Sequence, residues 1–379
     1  MVYVFWLSII LVLASYAGYP LLLYVASLLT RNRYTTGEGH IPRATLIISA
    51  YNEEAVIESR IENALALDYP RDKLKIIVVS DGSSDGTDEI VAKYKPQGVN
   101  LVAVPGRRGK THALNQVLPT VETEIVVFSD ANTMYDSQAV KHLVAPFADA
   151  RVGAACGELQ LQSPDGAVAA EGIYWRYEQL VKALESKTGG LTTFNGAIYA
   201  LRPQLHKTMH PGAANDFQHA LQLARARKAS VYCPLARATE QTGSSSGVEF
   251  RRRVRIVSRG WRALAANASV LNPFRVGLFS LKILLHKVLR WLGPVFLVAA
   301  LVSNFFILQQ PLYQVALAGQ AAFYTLALLG GFVSFKPANI IAYFCVINIA
   351  AFWGLLRFVC GKDSATWAPT THSDSTKAV

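Results

Sequence analysis

Only four cysteines occur in 379 residues (Cys156, Cys233, Cys345 and Cys360), and no two form a C-x-x-C pair. Their scarcity excludes a zinc ribbon or a disulfide framework and suits a reducing compartment. Charge is also missing in places. Residues 1–30 hold no Asp, Glu, Lys, Arg or His, and Arg31 is the first charge. Acidic residues are absent from Arg251 to Lys362, and between Arg290 and Lys362 only Lys336 and Arg357 are charged. The apolar share of 51% and the mean hydropathy of +0.25 are therefore concentrated at the ends. The chain reads as membrane, globular, membrane.

Nucleic-acid motifs are lacking too, which decides how to read the net charge of +11. The excess lies beside the apolar segments, where Lys and Arg meet anionic headgroups, so membrane lipids and not nucleic acid are the expected partner.

Val2 to Leu29 is long enough to cross a bilayer, which takes about 20 apolar residues. It has no basic n-region and is too long for a signal peptide. Arg31 and Arg33 follow, which puts the next domain in the cytoplasm. Three further spans are expected, over Trp291 to Leu308, Leu312 to Val333 and Ile340 to Phe358. That count leaves the C-terminus outside, against the preference of Arg357 and Lys362. Either one segment re-enters or the count is off by one.

The expected division is a transmembrane helix (1–30), a catalytic domain (31–247), interfacial amphipathic helices (248–290), transmembrane helices (291–360) and a polar tail (361–379). Phe250, Val254, Val257, Trp261 and Leu264 recur at helical spacing, with Arg251, Arg255, Arg259 and Arg262 on another face. That is the pattern of a basic helix lying on a membrane. Arg275 to Arg290 repeats it, with Lys282, His286, Lys287 and Arg290 on the polar side. Gly243 to Gly247 reads as a flexible loop that could gate a site. In the tail, Trp367-Ala-Pro369 could fold back against the protein.

In the middle, apolar runs alternate with helical stretches. Ala44 to Ala50, Leu74 to Ser80, Leu101 to Val104 and Glu124 to Ser129 read as strands, with helices over Ala55 to Leu67 and Thr87 to Lys95. Buried runs alternating with helices imply an α/β fold with a parallel sheet, whose ligand sits outside the carboxyl ends of the strands. Tyr51 to Glu53, Asp81 and Asp130 to Asn132 all lie there. A strand-ending Asp81 can accept hydrogen bonds from a base or ribose. The pair Asp130 and Asn132 offers oxygen ligands suited to Mg²⁺ or Mn²⁺ on a diphosphate. Lys110 opens a helix whose amides suit an anion. Each motif has a plainer reading. Asp81 to Thr87 is half a calcium loop, but Ala92 stands where the bidentate Glu belongs. Asp81-Gly82 could be only a turn, and Asp130 only a helix cap.

The ordered set of AYNEE, VVSDGSSDGT, GKTHALN, FSDANTMY, FNGAIYALR and NDF resembles glycosyltransferase family 2. The likeness is greatest to its processive membrane branch of cellulose, chitin, hyaluronan and poly-N-acetylglucosamine synthases. The resemblance implies a GT-A (Rossmann-like) fold, a nucleotide-sugar donor (a UDP-sugar favoured), Mg²⁺ or Mn²⁺, inversion at the anomeric carbon, and a multi-pass protein of the plasma (inner) membrane. It also implies site roles. Tyr51, Glu53, Asp81, Lys110 and Asp130 would bind donor, and Asp130 with Asn132 the metal. Asn195 and Gly196 would border the acceptor, and Asp216 would be the catalytic base.

Two departures stand out. Asn132 replaces the usual second Asp. The Q-x-x-R-W signature is not intact, reading Arg255-Ile-Val-Ser-Arg259-Gly-Trp261, with Arg259 and Trp261 still candidates to reach diphosphate and acceptor. Glu178 and Glu185 read as an interface or solvated helix face, and His206 and His210 as surface histidines. Three functions compete: extension of a glycan, single transfer to a polyprenyl phosphate or other lipid, and a non-catalytic partner that kept the fold.

Overall fold

In a computed structural model, residues 1–30, 34, 37, 39–162, 169–241, 246–330 and 335–361 are described. Arg31 and Arg33, the bulk of the Gly243–Gly247 loop, and the tail beyond Gly361 lie outside them.

The chain starts with α1 (Val2–Leu29), continuous except for a π-helical turn at Ala14–Gly18. Then come β1 (Ala44–Ala50), α2 (Ile57–Leu65), β2 (Leu74–Asp81), α3 (Thr87–Lys93), β3 (Val99–Val104), α4 (Lys110–Val117), β4 (Ile125–Asp130) and β5 (Thr133–Tyr135). All four expected strands are present. The order β3-β2-β1-β4 is parallel throughout, and β1 is buried along its whole length. Buried on both faces, it reads as an unbroken apolar run instead of alternating. Leu46 and Ile48 pack to one side with Ile57 and Ile61 of α2, and Ile47 packs to the other with Leu114 of α4.

The sheet continues with strands that the sequence pattern did not reveal, set between helices over residues 171–185 and after Asp216 that it did. After α5 (Ala139–Val144), β6 (Val152–Gln162) leads to α6 (Ala169–Lys187), β7 (Tyr199–Leu201), α7 (Asn215–Arg225) and β8 (Ala229–Gln241). The full order is β3-β2-β1-β4-β7-β6-β8-β5, with β7 antiparallel to its neighbours and β5 antiparallel to β8. This mixed eight-stranded sheet is a GT-A-like α/β fold.

Beyond it lie α8 (Ser246–Ala266), α9 (Phe279–Trp291), α10 (Gly293–Phe305), α11 (Pro311–Leu329) and α12 (Lys336–Val359). α1, α11 and α12 are each long and apolar enough to span a membrane. The expected span Trp291 to Leu308 falls on a bent pair of helices. α10 has only 13 residues and bends by 60° from α9, so the two form a bent pair. Pro294 at the start of α10 cannot continue the hydrogen-bond ladder of α9, which gives the break its cause. If the pair turns back without crossing, the C-terminus returns to the side of the catalytic domain, and the charge conflict at Arg357 disappears.

The amphipathic helices also sit differently from the expectation. α8 does not present its arginines outward as a set. Its apolar stripe packs on α12, so closely that a Cβ on Gly354 would lie 2.8 Å from Val257. In α9, Lys282, His286 and Arg290 recur every four residues and point at α6. Lys282 donates to the carbonyls of Glu185, Thr188 and Gly190, and Arg290 pairs with Glu178. Glu185, fully buried, accepts from Tyr19 Oη of α1 at 2.5 Å and from Thr192 N–H at 2.8 Å. His286 Nδ1 lies 2.8 Å from the same carboxylate. α6 is thus an interface helix, one of the two readings its sequence allowed. Burial alone would raise Glu185, but His286, Lys282 and Tyr19 outweigh it and hold its pKa down to about 2.

A carboxylate shared by three elements should hold them together. We expect Glu185→Ala to cost about 3–5 kcal/mol, the usual result of breaking a buried ion pair from one side. The melting temperature of the detergent-solubilised protein measures it. Because folding depresses this carboxyl, its contribution is complete above the unfolded value near 4.3 and fades as pH falls toward about 2. An unchanged melting temperature in Glu185→Ala would remove Glu185 from this role.

Candidate functional site

The loops after β1 and β2 template each other. Asn52 adopts a φ of 51°, donates its N–H to Ser83 Oγ at 3.1 Å and accepts from Ser84 N–H at 2.8 Å. Glu53 N–H donates to Thr87 Oγ1, and Glu54 Oε2 accepts from Gly86 N–H, both at 2.8 Å. Asp85 is consumed by Thr87 and the Glu54 N–H, so this half calcium loop spends its carboxylate on internal bonds.

Asp81 is 6% exposed, and its carboxylate accepts from Arg108 N–H at 3.1 Å and Gly109 N–H at 2.6 Å. It therefore pins the loop before α4. Gly82, at φ +71°, lets that loop approach, since a Cβ there would be 2.9 Å from the Gly106 carbonyl carbon. Arg107 lies over the Tyr51 ring at 4.3 Å. Tyr51, Asp81 and Lys110 together border a narrow crevice.

Lys110 reaches from this crevice into a cavity of about 420 Å³, where it pairs with Asp130 and donates to the Gly196 carbonyl at 3.3 Å. Glu53 and Asn132 line the same cavity. So does Glu240 at the end of β8, a residue that sequence reasoning missed. The pairing of β8 with β5 brings it there, and Asn132 Nδ2 donates to Glu240 Oε1 at 3.3 Å. No motif surrounds Glu240, so only the long-range strand pairing reveals it. Burial first, then Asp130, Asp85 and Glu240, pushes Glu53 up to about 7. Glu240 is raised by burial and by Asp130, with Arg252 opposing.

Among the described residues, no three His, Cys, Asp or Glu side chains converge on a ready-made metal site. The donor set nonetheless fits a hard divalent cation. Asp130 supplies a carboxylate, Asn132 keeps its amide oxygen after turning its nitrogen to Glu240, and the surroundings are anionic. A diphosphate would have to supply further ligands.

Across the cavity stand Asn195, Gly196 and Asp216. Asn195 is a buried linchpin. Its Nδ2 donates to Gly157 O at 2.6 Å, its N–H to Cys156 Sγ at 3.1 Å, and its Oδ1 accepts from Lys182. Gly196 leaves room beside Asp216, whose Oδ2 would lie 3.4 Å from an added Cβ. Asp216 sits in the first turn of α7, after the N-cap residue Ala214 and not as the cap itself. Its Oδ1 accepts from Phe217 N–H at 2.9 Å. Burial raises its pKa above the ordinary aspartate range, against the pull of that N–H, Lys110, Arg259 and Lys182.

The basic face of α8 turns inward. Arg252, Arg253, Arg255 and Arg259 all line the cavity. Arg259 Nη2 donates to Ala213 O at 3.1 Å and Thr111 Oγ1 at 3.3 Å, tying α4 to the approach to α7. Trp261 is not brought to the cavity, because its ring packs against Trp291 at 5.2 Å and stacks on Phe358. Tyr174, Glu178 and Lys182 of α6 line the cavity as well, and their four-residue spacing was a readable stripe. His206 is half-buried and contacts His219 Nε2 at 3.1 Å, while His210 is exposed.

Comparison with known proteins bears on the family and the fold. Residues 42–258 match the family described as "Glycosyltransferase like family 2". Over 121 residues the chain is 35% identical to a beta-monoglucosyldiacylglycerol synthase of Trichormus variabilis and to a poly-beta-1,6-N-acetyl-D-glucosamine synthase of Staphylococcus aureus. The match spans 31% of this chain and only 26% and 29% of those relatives. A mannosyltransferase of Pyrobaculum calidifontis, solved with GDP-Man and Mn²⁺, has the same fold. It aligns with a TM-score of 0.73 at 23% identity, covering 95% of this chain and all of that one. With the family matched over more than half its length, this chain belongs to glycosyltransferase-like family 2.

Proposed function

We propose that this protein is an inverting, membrane-bound glycosyltransferase that moves a sugar from a nucleotide-diphosphate donor to the hydroxyl of a lipid acceptor. One observation carries the reading. Asp130, at the donor end, and Asp216 line a single cavity, with Lys110 and Arg259 between them. The nucleotide would lie at Tyr51 and Asp81, its diphosphate beside Lys110 and Arg255. Mg²⁺ or Mn²⁺ held by Asp130 and Asn132 would neutralise charge on the departing diphosphate.

The acceptor oxygen attacks the anomeric carbon while the carbon–oxygen bond to the diphosphate breaks, and the nucleotide diphosphate leaves with the electron pair. Asp216 takes the hydroxyl proton. The cavity continues to Tyr16 of α1 and to Ile347 and Ala351 of α12, which favours a lipid over a soluble glycan acceptor. Glycan extension, the other reading, loses support with Trp261 outside the cavity. By the charge of Arg31 and Arg33, the catalytic domain faces the cytoplasm of the plasma (inner) membrane.

Asp216→Asn should fold and bind donor normally yet transfer sugar about 100-fold more slowly, since an amide cannot accept the proton. A protonated Asp216 is inactive, so wild-type kcat/KM should fall as pH drops through its raised pKa. The Asn variant should lack that acid limb. A variant with wild-type rate and pH profile would refute Asp216 as base.

The metal assignment has its own check. Asp130→Ala should abolish Mn²⁺ binding in the presence of nucleotide diphosphate, followed by paramagnetic resonance, whereas Asn132→Asp should retain it. Chelator should stop turnover in the wild type. Mn²⁺ bound equally well by Asp130→Ala would rule the site out.

A further inference from the structure

The membrane end of the cavity has no role in the donor chemistry, yet it is charged. Eight Lys or Arg side chains line the cavity against five Asp or Glu, so the surplus is cationic. Much of it is already committed at this end. Arg290 pairs with Glu178 and Tyr177, and Arg253 with Glu249 and Tyr343. Lys287 makes no hydrogen bond or ion pair among the described residues, although it lines the cavity. His286, 1% exposed, turns an Nε2 with no hydrogen-bond partner to the same wall, 3.4 Å from Glu178 Oε2. Lys182 lies between this end and Asp216, near enough to act on its carboxylate.

Two chemistries thus meet in one space that opens toward membrane helices: a proton acceptor and a cation whose nearest carboxylates, Glu178 and Glu185, are bonded to other groups. A phosphate acceptor needs no base, and its charge would be repelled by Asp216. A neutral lipid would leave Lys287 with no hydrogen-bonded counter-charge, only the more distant pull of Glu178 and Glu185, in a poorly solvated cavity, which is costly. Resting on the transferase reading above, we infer that the acceptor is a membrane lipid whose headgroup carries a phosphate beside a free hydroxyl. The phosphate sits on Lys287 and Lys182, and the hydroxyl meets Asp216. The acyl chains leave past Tyr16, Ile347 and Ala351.

The test uses the full chain and phosphatidylcholine vesicles doped with one of four lipids, with labelled GDP-mannose and UDP-glucose as donors. Phosphatidylglycerol and phosphatidylinositol carry both phosphate and hydroxyl. Dioleoylglycerol carries the hydroxyl alone, and undecaprenyl phosphate the phosphate alone. Label should enter at least one of the first two about tenfold faster than dioleoylglycerol, the difference that one charge-assisted contact makes. Lys287→Gln should erase that preference by raising KM for the lipid, and Lys287→Arg should restore it. Equal labelling of dioleoylglycerol overturns the inference and leaves the transferase reading intact. So does preferred labelling of undecaprenyl phosphate that survives Asp216→Asn, or label found only in soluble saccharide. If neither donor is consumed with any acceptor, or hydrolysed without one, the transferase reading itself fails and the inference with it.

Discussion

Glu53, Asp130 and Glu240 stand at the ends of three strands and share one poorly solvated crevice, where burial and Asp130 raise the cost of ionising Glu53 and Glu240, and Glu240 adds to it at Glu53. Parallel strands make this unavoidable, because they deliver every post-strand side chain to the same edge. The rest of the molecule offsets the repulsion. Lys110 pairs with Asp130, and Arg252 opposes the rise at Glu240. Arg255 and Arg259 bring more positive charge along the cavity wall. An anionic crevice facing a cationic wall is also what a metal–diphosphate pair requires, since the metal meets one side and the phosphates the other.

The same rule governs how the catalytic domain meets its apolar helices. Lys282, His286 and Arg290 of α9 each find acidic or carbonyl oxygen on or beside α6, and Tyr19 of α1 joins at Glu185. Buried charges persist only when paired and hydrogen-bonded. The result is a fixed base for the cavity, with α6 serving both its wall and its foundation. Lys287, next in sequence to His286, is the exception that the acceptor proposal rests on.

Much of the donor side was legible in the sequence, because it is local. Strand-ending Asp81 and Asp130 follow apolar runs directly, and Lys110 opens a helix; both features show in a few residues. What depends on distant pairing was not. Glu240 reaches Asn132 only through the β5–β8 pairing, more than a hundred residues apart in sequence. The arginines of α8 form a stripe either way, and hydrophobic periodicity does not tell a lipid surface from a protein cavity. The bend between α9 and α10 was hidden for a related reason: the composition of α10 is that of a span, and only the break at Gly293-Pro294 shortens it.

The central claim is that the basic face of α8 serves the site more than the bilayer. Arg251 and Arg255, four residues apart, are both exposed, but only Arg255 lines the cavity. Calorimetric titration of UDP and GDP, each with Mn²⁺, into purified Arg255→Gln and Arg251→Gln would separate the two roles. The account predicts that Arg255→Gln weakens the better-binding nucleotide by about tenfold, as loss of a charge-assisted phosphate contact should, and that Arg251→Gln leaves it unchanged. Equal affinities in the two variants would contradict it and return α8 to the role of a membrane anchor.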